Sequence, residues 1–319
     1  MPACRSRGGR ITLSWLQYAR TLHYLRLVQM YGLARNRLLQ LLPAGPTAIQ
    51  DARVSARVQP PKVPFLSAPT SRQGTTLTFL NHTVDCPGGI HWHDPAQTKL
   101  WRDNLHSMHY LHQPGTTRKA QRAWMYAWVR GNPDVQGEGW EPFPTSLRLV
   151  HWFKVWWTHG CSEQDAPFLA SAYAQARHVR RWVEYHVQGN HLFENLKTLF
   201  WAGCTFQSTE AARWQRWAAR HLLRQLHEQI LADGEHYEHR PMYQAQILEG
   251  CLDLLNIQSA WMELYPALIA LLVSKTSQML AWLETMSHPD GEIALCNDAA
   301  FHIVPAPTLL DYGRRLGCS

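Results

Sequence analysis

The sequence predicts an all-α fold, and three observations carry that prediction. From Lys99 onward, apolar residues recur at helical spacing through eight consecutive segments, about 99–112, 117–130, 145–159, 165–187, 191–206, 209–232, 241–256 and 258–286. The breaks between them are short and marked by Gly or Pro, as at Pro114-Gly115, Gly131-Asn-Pro133, Gly160, Gly189 and Asp233-Gly234, which makes consecutive helices antiparallel neighbours. Strand signals are confined to one or two short runs near 75–92.

Before Lys99 the chain is of a different character. Apolar residues at helical spacing between Leu13 and Leu42 predict an amphipathic helix or helix pair, closed by Pro43 and Gly45. Gln17, Arg20, His23 and Arg26 interrupt this stretch where an export signal needs a continuous apolar run, so no signal peptide is expected and the sequence alone reads as cytoplasmic. A proline-rich connector follows to Gly74. Thr75 to Val84 alternates like one strand, and Gly88 to Trp92 suggests another. Residues 1–74 are therefore expected to form a helix and connector, and residues 75–319 the helical domain.

Composition narrows the classes. With 45% hydrophobic and 17% charged residues in 319, the chain can bury a sizeable core. The formal charge is +7 and 25 of the 31 basic residues are Arg, whose planar fork suits carboxylate or sulfate. The basic residues are spread out, without the cluster or aromatic motif of a nucleic-acid module. Seven scattered cysteines without Cys-x-x-Cys spacing indicate neither a disulfide framework nor a zinc site. Apolar residues from Ala260 to Val273 are interrupted by Glu263 and Pro266, so a buried helix is expected rather than a membrane span. The 15 Trp residues serve core filling or sugar stacking; Trp92 and Trp101, among polar neighbours, are the better sugar candidates, whereas Trp152 and Trp156 read as a packed helix face.

Two stretches gather the chemistry. Glu184 to Asn195 holds Gly189, Asn190, His191, Glu194 and Asn195 at a junction of helices, and Asp233 to Tyr243 holds His236, Tyr237, Glu238, His239 and Arg240 at another. Asn190 follows Gly189 in a position that also suits a helix cap. Glu194 and Glu238 can be read as a hydrolase carboxylate pair, but orienting neighbouring His or Arg side chains is the better reading. His236, Glu238 and His239 lack the His-Glu-x-x-His spacing, so no metal is expected. Arg148 and Trp152 share one helix face.

These pieces, in order, resemble the heparinase II/III family of polysaccharide lyases, specifically its helical N-terminal portion. The resemblance rests on Gly189-Asn190-His191-Leu192, Glu194-Asn195, Ala202-Gly203, Asp233-Gly234, Glu238, Pro241-Met242-Tyr243 and Asn297-Asp298, with Phe79-Leu80-Asn81, Leu100-Trp101-Arg102, Asn104-Leu105-His106 and Ser146-Leu147-Arg148 upstream. It implies an incomplete α/α toroid of antiparallel hairpins. It also implies β-elimination on an acidic, uronate-containing polysaccharide without a cofactor: Asn190 and His191 would neutralise the uronate carboxylate and Tyr243 would transfer the proton. Arg148, Trp101, Glu194, Glu238, His236 and Arg240 are the expected substrate-binding set. Two departures bear on substrate choice: Arg240 stands where the family commonly has a small serine-like residue, and Gln244 where it often has His. The family usually continues into a β-sandwich contributing a further catalytic His, and no strand-rich segment follows residue 300, so the reading leaves open a fragment, a product of a shortened gene, or a toroid with a different partner, a separate sandwich domain or chain among the candidates.

Overall fold

The computed structural model describes residues 23–43, 52–297 and 305–318. The part of the first helical pattern before residue 23, and Asp298 of the Asn-Asp motif, lie outside the described residues. Ten helices follow in order: α1 (Leu27–Gln40), α2 (Lys99–Ser107), α3 (Arg118–Gly131), α4 (Pro142–His159), α5 (Ala166–Arg181), α6 (Gly189–Thr205), α7 (Thr209–Gln229), α8 (Pro241–Asn256), α9 (Pro266–Thr285) and α10 (Ala306–Leu316). Single 3₁₀ turns at His109–His112 and Gln258–Ala260 replace the ends that the periodicity assigned to the neighbouring helices.

Burial sorts the helices into two layers. In α6, 14 of 17 residues are buried, and α4 and α8 are similarly enclosed. In α7 the buried positions form one stripe, Ala211, Trp214, Gln215, Ala218, Ala219, Leu222, Gln225, Leu226 and Gln229. Accordingly α4, α6 and α8 pack on one another as an inner wall, while α5, α7 and α9 pack outside them. This is the incomplete α/α toroid. The closest pairing, α6 on α7, depends on Gly203, where a Cβ would stand 2.4 Å from the Gln215 Cβ. Among the described residues ten tryptophans are buried in the core, Trp92 and Trp101 among them; Trp101 packs on Phe79, and Trp92 lies against His106.

The expected strand at 75–84 is a hairpin. Thr76–Phe79 (β2) pairs antiparallel with His82–Asp85 (β3), Arg72–Gln73 (β1) lies on the other edge, and 88–92 forms no strand. Leu80 and Asn81 make the two-residue turn at φ of 54° and 58°, both left-handed; without the Asn-Gly signature it reads in sequence as continuous strand. Phe79 and Leu77 face α2, and the Trp101 indole donates to the His82 carbonyl at 3.1 Å.

The connector is structural. Ser55 N–H donates to the Thr205 carbonyl at the end of α6, and Lys62 N–H to that of Asn256 at the end of α8. Inner helices α6 and α8 thus finish at one end of the toroid and begin at the other. α9 is long and apolar enough to cross a membrane, with a mean hydropathy of 1.3; here it lies against α7, α8 and α10 with a third of it buried.

A buried ionic cluster ties α4 to α8. Lys154 reaches Glu249 at 2.9 Å and Asp253 at 2.7 Å, and Asp253 also accepts from the Tyr312 hydroxyl of α10 at 3.1 Å. Burial pushes the Asp253 carboxyl up to about 6, Lys154 pulling against it and Glu249 adding to it. Lys154→Met should leave two carboxylates facing each other in the interior. A loss of about 3–5 kcal/mol is expected, read as a melting temperature lowered by roughly 10 °C; a shift under about 2 °C would show that the cluster is not a stabilising tie.

Candidate functional site

The N-terminal ends of α6 and α8 meet in a cleft of about 440 Å³ lined by Asn190, His191, Tyr237, Glu238, Arg240 and Tyr243, with Arg26 and Gln29 from the start of α1 completing the wall. Asn190 and His191 lie in the first turn of α6, Tyr243 in the first turn of α8, and Phe143, in the first turn of α4, stacks on the His191 ring at 4.0 Å. The N-termini of α6 and α8 therefore face one space, each equivalent to roughly half a positive charge, and the start of α4 abuts it through Phe143. The cleft favours an anion before any side chain is counted.

Gly189 joins the two polar stretches. Its φ is +53°, and a Cβ there would stand 2.0 Å from the Glu238 Oε1. Gln188 beside it also has a positive φ, 69°, with an extended ψ of −157°, a combination that costs a non-glycine residue about 1–3 kcal/mol and persists where the surroundings fix it. They do so here: Gln188 N–H donates to the Glu184 carbonyl, and Gln229 Nε2 donates to the Gly189 carbonyl at 3.0 Å. Because α6 begins at Gly189 with Gln188 flanking it, Asn190 falls inside the helix and does not cap it. The capping alternative for Asn190 is thereby corrected.

The remaining candidates divide. Glu238 and Arg240 line the cleft; the Arg240 guanidinium lies 5.3 Å from the centre of the Tyr243 ring and 3.8 Å from the Glu238 carboxylate. Arg148, Trp101, Glu194 and His236 are all buried, and the structure does not bring them to it. Arg148 lies on the Trp128 face at 3.7 Å and donates to Gln175, Thr145 and the His106 carbonyl. Glu194 pairs with Lys197 at 2.7 Å. His236 donates from Nε2 to Gln229 at 3.0 Å and so supports Gly189 from behind; burial, then the His239 charge, pushes it down to about 4. These four side chains are engaged in the interior and do not line the cleft. His239 pairs with Glu235 at 2.8 Å, so the two histidines of the second stretch have separate partners. Among the described residues no group of three or more His, Cys, Asp or Glu is gathered around a metal-sized space.

Sequence reasoning passed over three wall residues. Arg26 and Gln29 lie far upstream and reach the cleft because α1 packs across the 181–188 loop: a Cβ on Gly32 would meet the His186 nitrogen at 2.7 Å, and Gln29 Nε2 donates to the His186 carbonyl. Arg26 pairs with Glu228 at the end of α7. Tyr237 was part of a noted stretch but carried no role; burial, then the Glu238 charge, holds its phenol above the usual range. A second cavity of about 530 Å³, lined by His91, Trp92, His93, Asp94, Pro95 and Gly131, shares no residue with the cleft.

A family model described as the heparinase II/III N-terminus matches residues 72–304. The chain belongs to the heparinase II/III family. Within it, a heparin-sulfate lyase of Pedobacter heparinus is 25% identical over 224 residues, covering 64% of this chain and 32% of that protein. The chain thus spans about a third of the length of this curated relative. Among solved structures, a heparinase III with methylated lysines superposes with a TM-score of 0.53 at 17% identity, covering 96% of this chain and 52% of the other. Another heparinase III gives 0.52 at 17% identity, covering 89% and 46%. At such identities the superpositions speak to the fold, and they agree with the layered toroid.

Proposed function

We propose that this chain forms the helical part of a polysaccharide lyase that cleaves a uronate-containing acidic glycan by β-elimination. One observation carries the reading: Asn190 and His191, and Tyr243 far from them in sequence, line a single cleft at two helix N-termini in a member of a lyase family. β-Elimination begins with loss of the weakly acidic proton beside the uronate carboxyl group. It becomes feasible when donors neutralise that carboxylate as charge builds on it. The Asn190 amide offers two hydrogens without carrying charge, and in this reading the Tyr243 hydroxyl takes the proton and returns one to the departing glycosidic oxygen. Arg26 and Arg240, both lining the cleft, supply positive charge to flanking acidic groups.

The deciding experiment is the ultraviolet absorbance of the unsaturated uronate, followed with a panel of acidic polysaccharides. Appearance of that chromophore supports the lyase, whereas binding without it across the panel leaves a glycan-binding protein. Affinity for an acidic oligosaccharide should also fall as salt rises, because partly exposed charge contacts are screened within about 10 Å at 0.1 M salt. Calorimetric titration at two salt concentrations reads this, and equal affinities would remove the anionic ligand.

A further inference from the structure

We infer that Glu184 is a positioning residue that fixes the tautomer of His191, so that the imidazole presents Nε2 to the cleft as a proton acceptor. This rests on the lyase reading for its consequence but on geometry for its content. Glu184 lies in the loop between α5 and α6, and its side chain is only 11% exposed. Its Oε1 stands 3.1 Å from the His191 Nδ1, and its Oε2 accepts from the Asn195 Nδ2 at 3.1 Å.

The direction of each bond follows from the backbone. Glu184 N–H donates to the Asn195 Oδ1 at 2.9 Å, so Oδ1 is the amide oxygen and Nδ2 must be the donor, shared between Glu184 and the Ser146 hydroxyl at 3.1 Å. Ser146 is held in turn by its place in α4, where its carbonyl accepts from Thr198 of α6. The carboxylate therefore faces Nδ1 with an acceptor, and a neutral imidazole there must carry its proton on Nδ1. Phe143 stacks on the ring at an interplanar angle of 19° and holds its plane. Nδ1 is thus occupied from behind, and Nε2 is the nitrogen left to the cleft that His191 lines. A ring in this state accepts a proton or a sugar hydroxyl through Nε2, and donates to a uronate carboxylate only once it is protonated. Asn195 gains a reason as well: it transmits the backbone's orientation to the carboxylate.

Glu184→Gln tests this with little change of shape. Its amide oxygen can still accept from Asn195, while its NH₂ must donate to Nδ1 and drive the His191 proton to Nε2. In the wild-type chain, the ¹⁵N spectrum of His191 should show a protonated Nδ1 and a bare Nε2 in the neutral ring, with the pattern reversed in Glu184→Gln. On an acidic glycan, kcat should fall about 10²-fold with KM within about two-fold, as wrong-tautomer and outer-shell changes do elsewhere, and Glu184→Asp should recover part of the loss. A wild-type ring protonated on Nε2, or a lowered kcat in Glu184→Gln with the tautomer unchanged, overturns the inference. The spectrum needs neither substrate nor turnover, so absence of lyase activity would count against the proposed function and leave the tautomer assignment to its own result.

Discussion

Tyr243→Phe is expected to lower any β-elimination by this chain by about 10²–10⁴-fold, the range contributed by one general acid or base, while binding of the acidic glycan changes less than two-fold. The substitution removes one oxygen. Tyr243 is half-buried in the first turn of α8, behind Pro241, whose fixed φ suits a helix start. Backbone and ring should therefore stay in place, and with the ring stays its contact with Arg240. What disappears is the hydroxyl of a residue that lines the same cleft as Asn190 and His191. If the Phe variant turns over at the wild-type rate, the proton passes through another group; Tyr237 is then the next to test, although its burial works against ionisation. Loss of binding together with turnover would instead assign Tyr243 to ligand contact.

How much of this was legible in the sequence depended on periodicity. Long helices announced themselves because their buried faces repeat over several turns, as in α7, and the inner helices carry apolar residues on nearly every side. The closing α10 was missed, being short and held by tertiary bonds such as Asn256 to the Tyr312 hydroxyl. The hairpin turn at Leu80-Asn81 was hidden because tertiary packing of Phe79 and Trp101 imposes a geometry that those two residues do not advertise. Site residues were legible where glycine marked a special backbone, at Gly189, since a left-handed turn before a helix shows in composition. Burial was not legible. Arg148, Glu194 and His236 have the chemistry of ligand contacts, and only the three-dimensional structure shows them enclosed behind the wall. Arg26 and Glu184 failed to stand out for the opposite reason: their importance comes from partners that packing brings beside them.

The same enclosed histidines predict an acid transition near pH 5. His106 and His236 have no exposed surface. Burial pushes His106 down to about 3, with the Arg148 charge adding to it, and burial pushes His236 down to about 4. Trp128 donates its indole N–H to the His106 Nδ1 at 3.1 Å, so that nitrogen accepts and cannot take a proton without losing the bond. The unfolded chain binds these protons near pH 6.5 and the folded chain does not. Their contribution to stability is thus complete above pH 6.5 and is lost as pH falls toward 4. Each costs about 1.4 kcal/mol per pH unit in that window, so by pH 4.5 the pair removes roughly 5 kcal/mol, comparable with the whole stability of many domains. Asp253, raised to about 6, acts in the opposite sense with a single proton and offsets part of this. Urea unfolding between pH 7 and 5 should show stability falling with a slope of more than two protons, less the Asp253 share, because burial also holds His109, His112, His151 and His178 below the usual imidazole range. His236→Gln keeps a donor for Gln229 and removes one titrating ring, so it should move the acid midpoint downward. A chain still folded at pH 4, with the same midpoint in the variant, would mean that these rings take up protons in the folded state and that the enclosure seen around them opens at little cost.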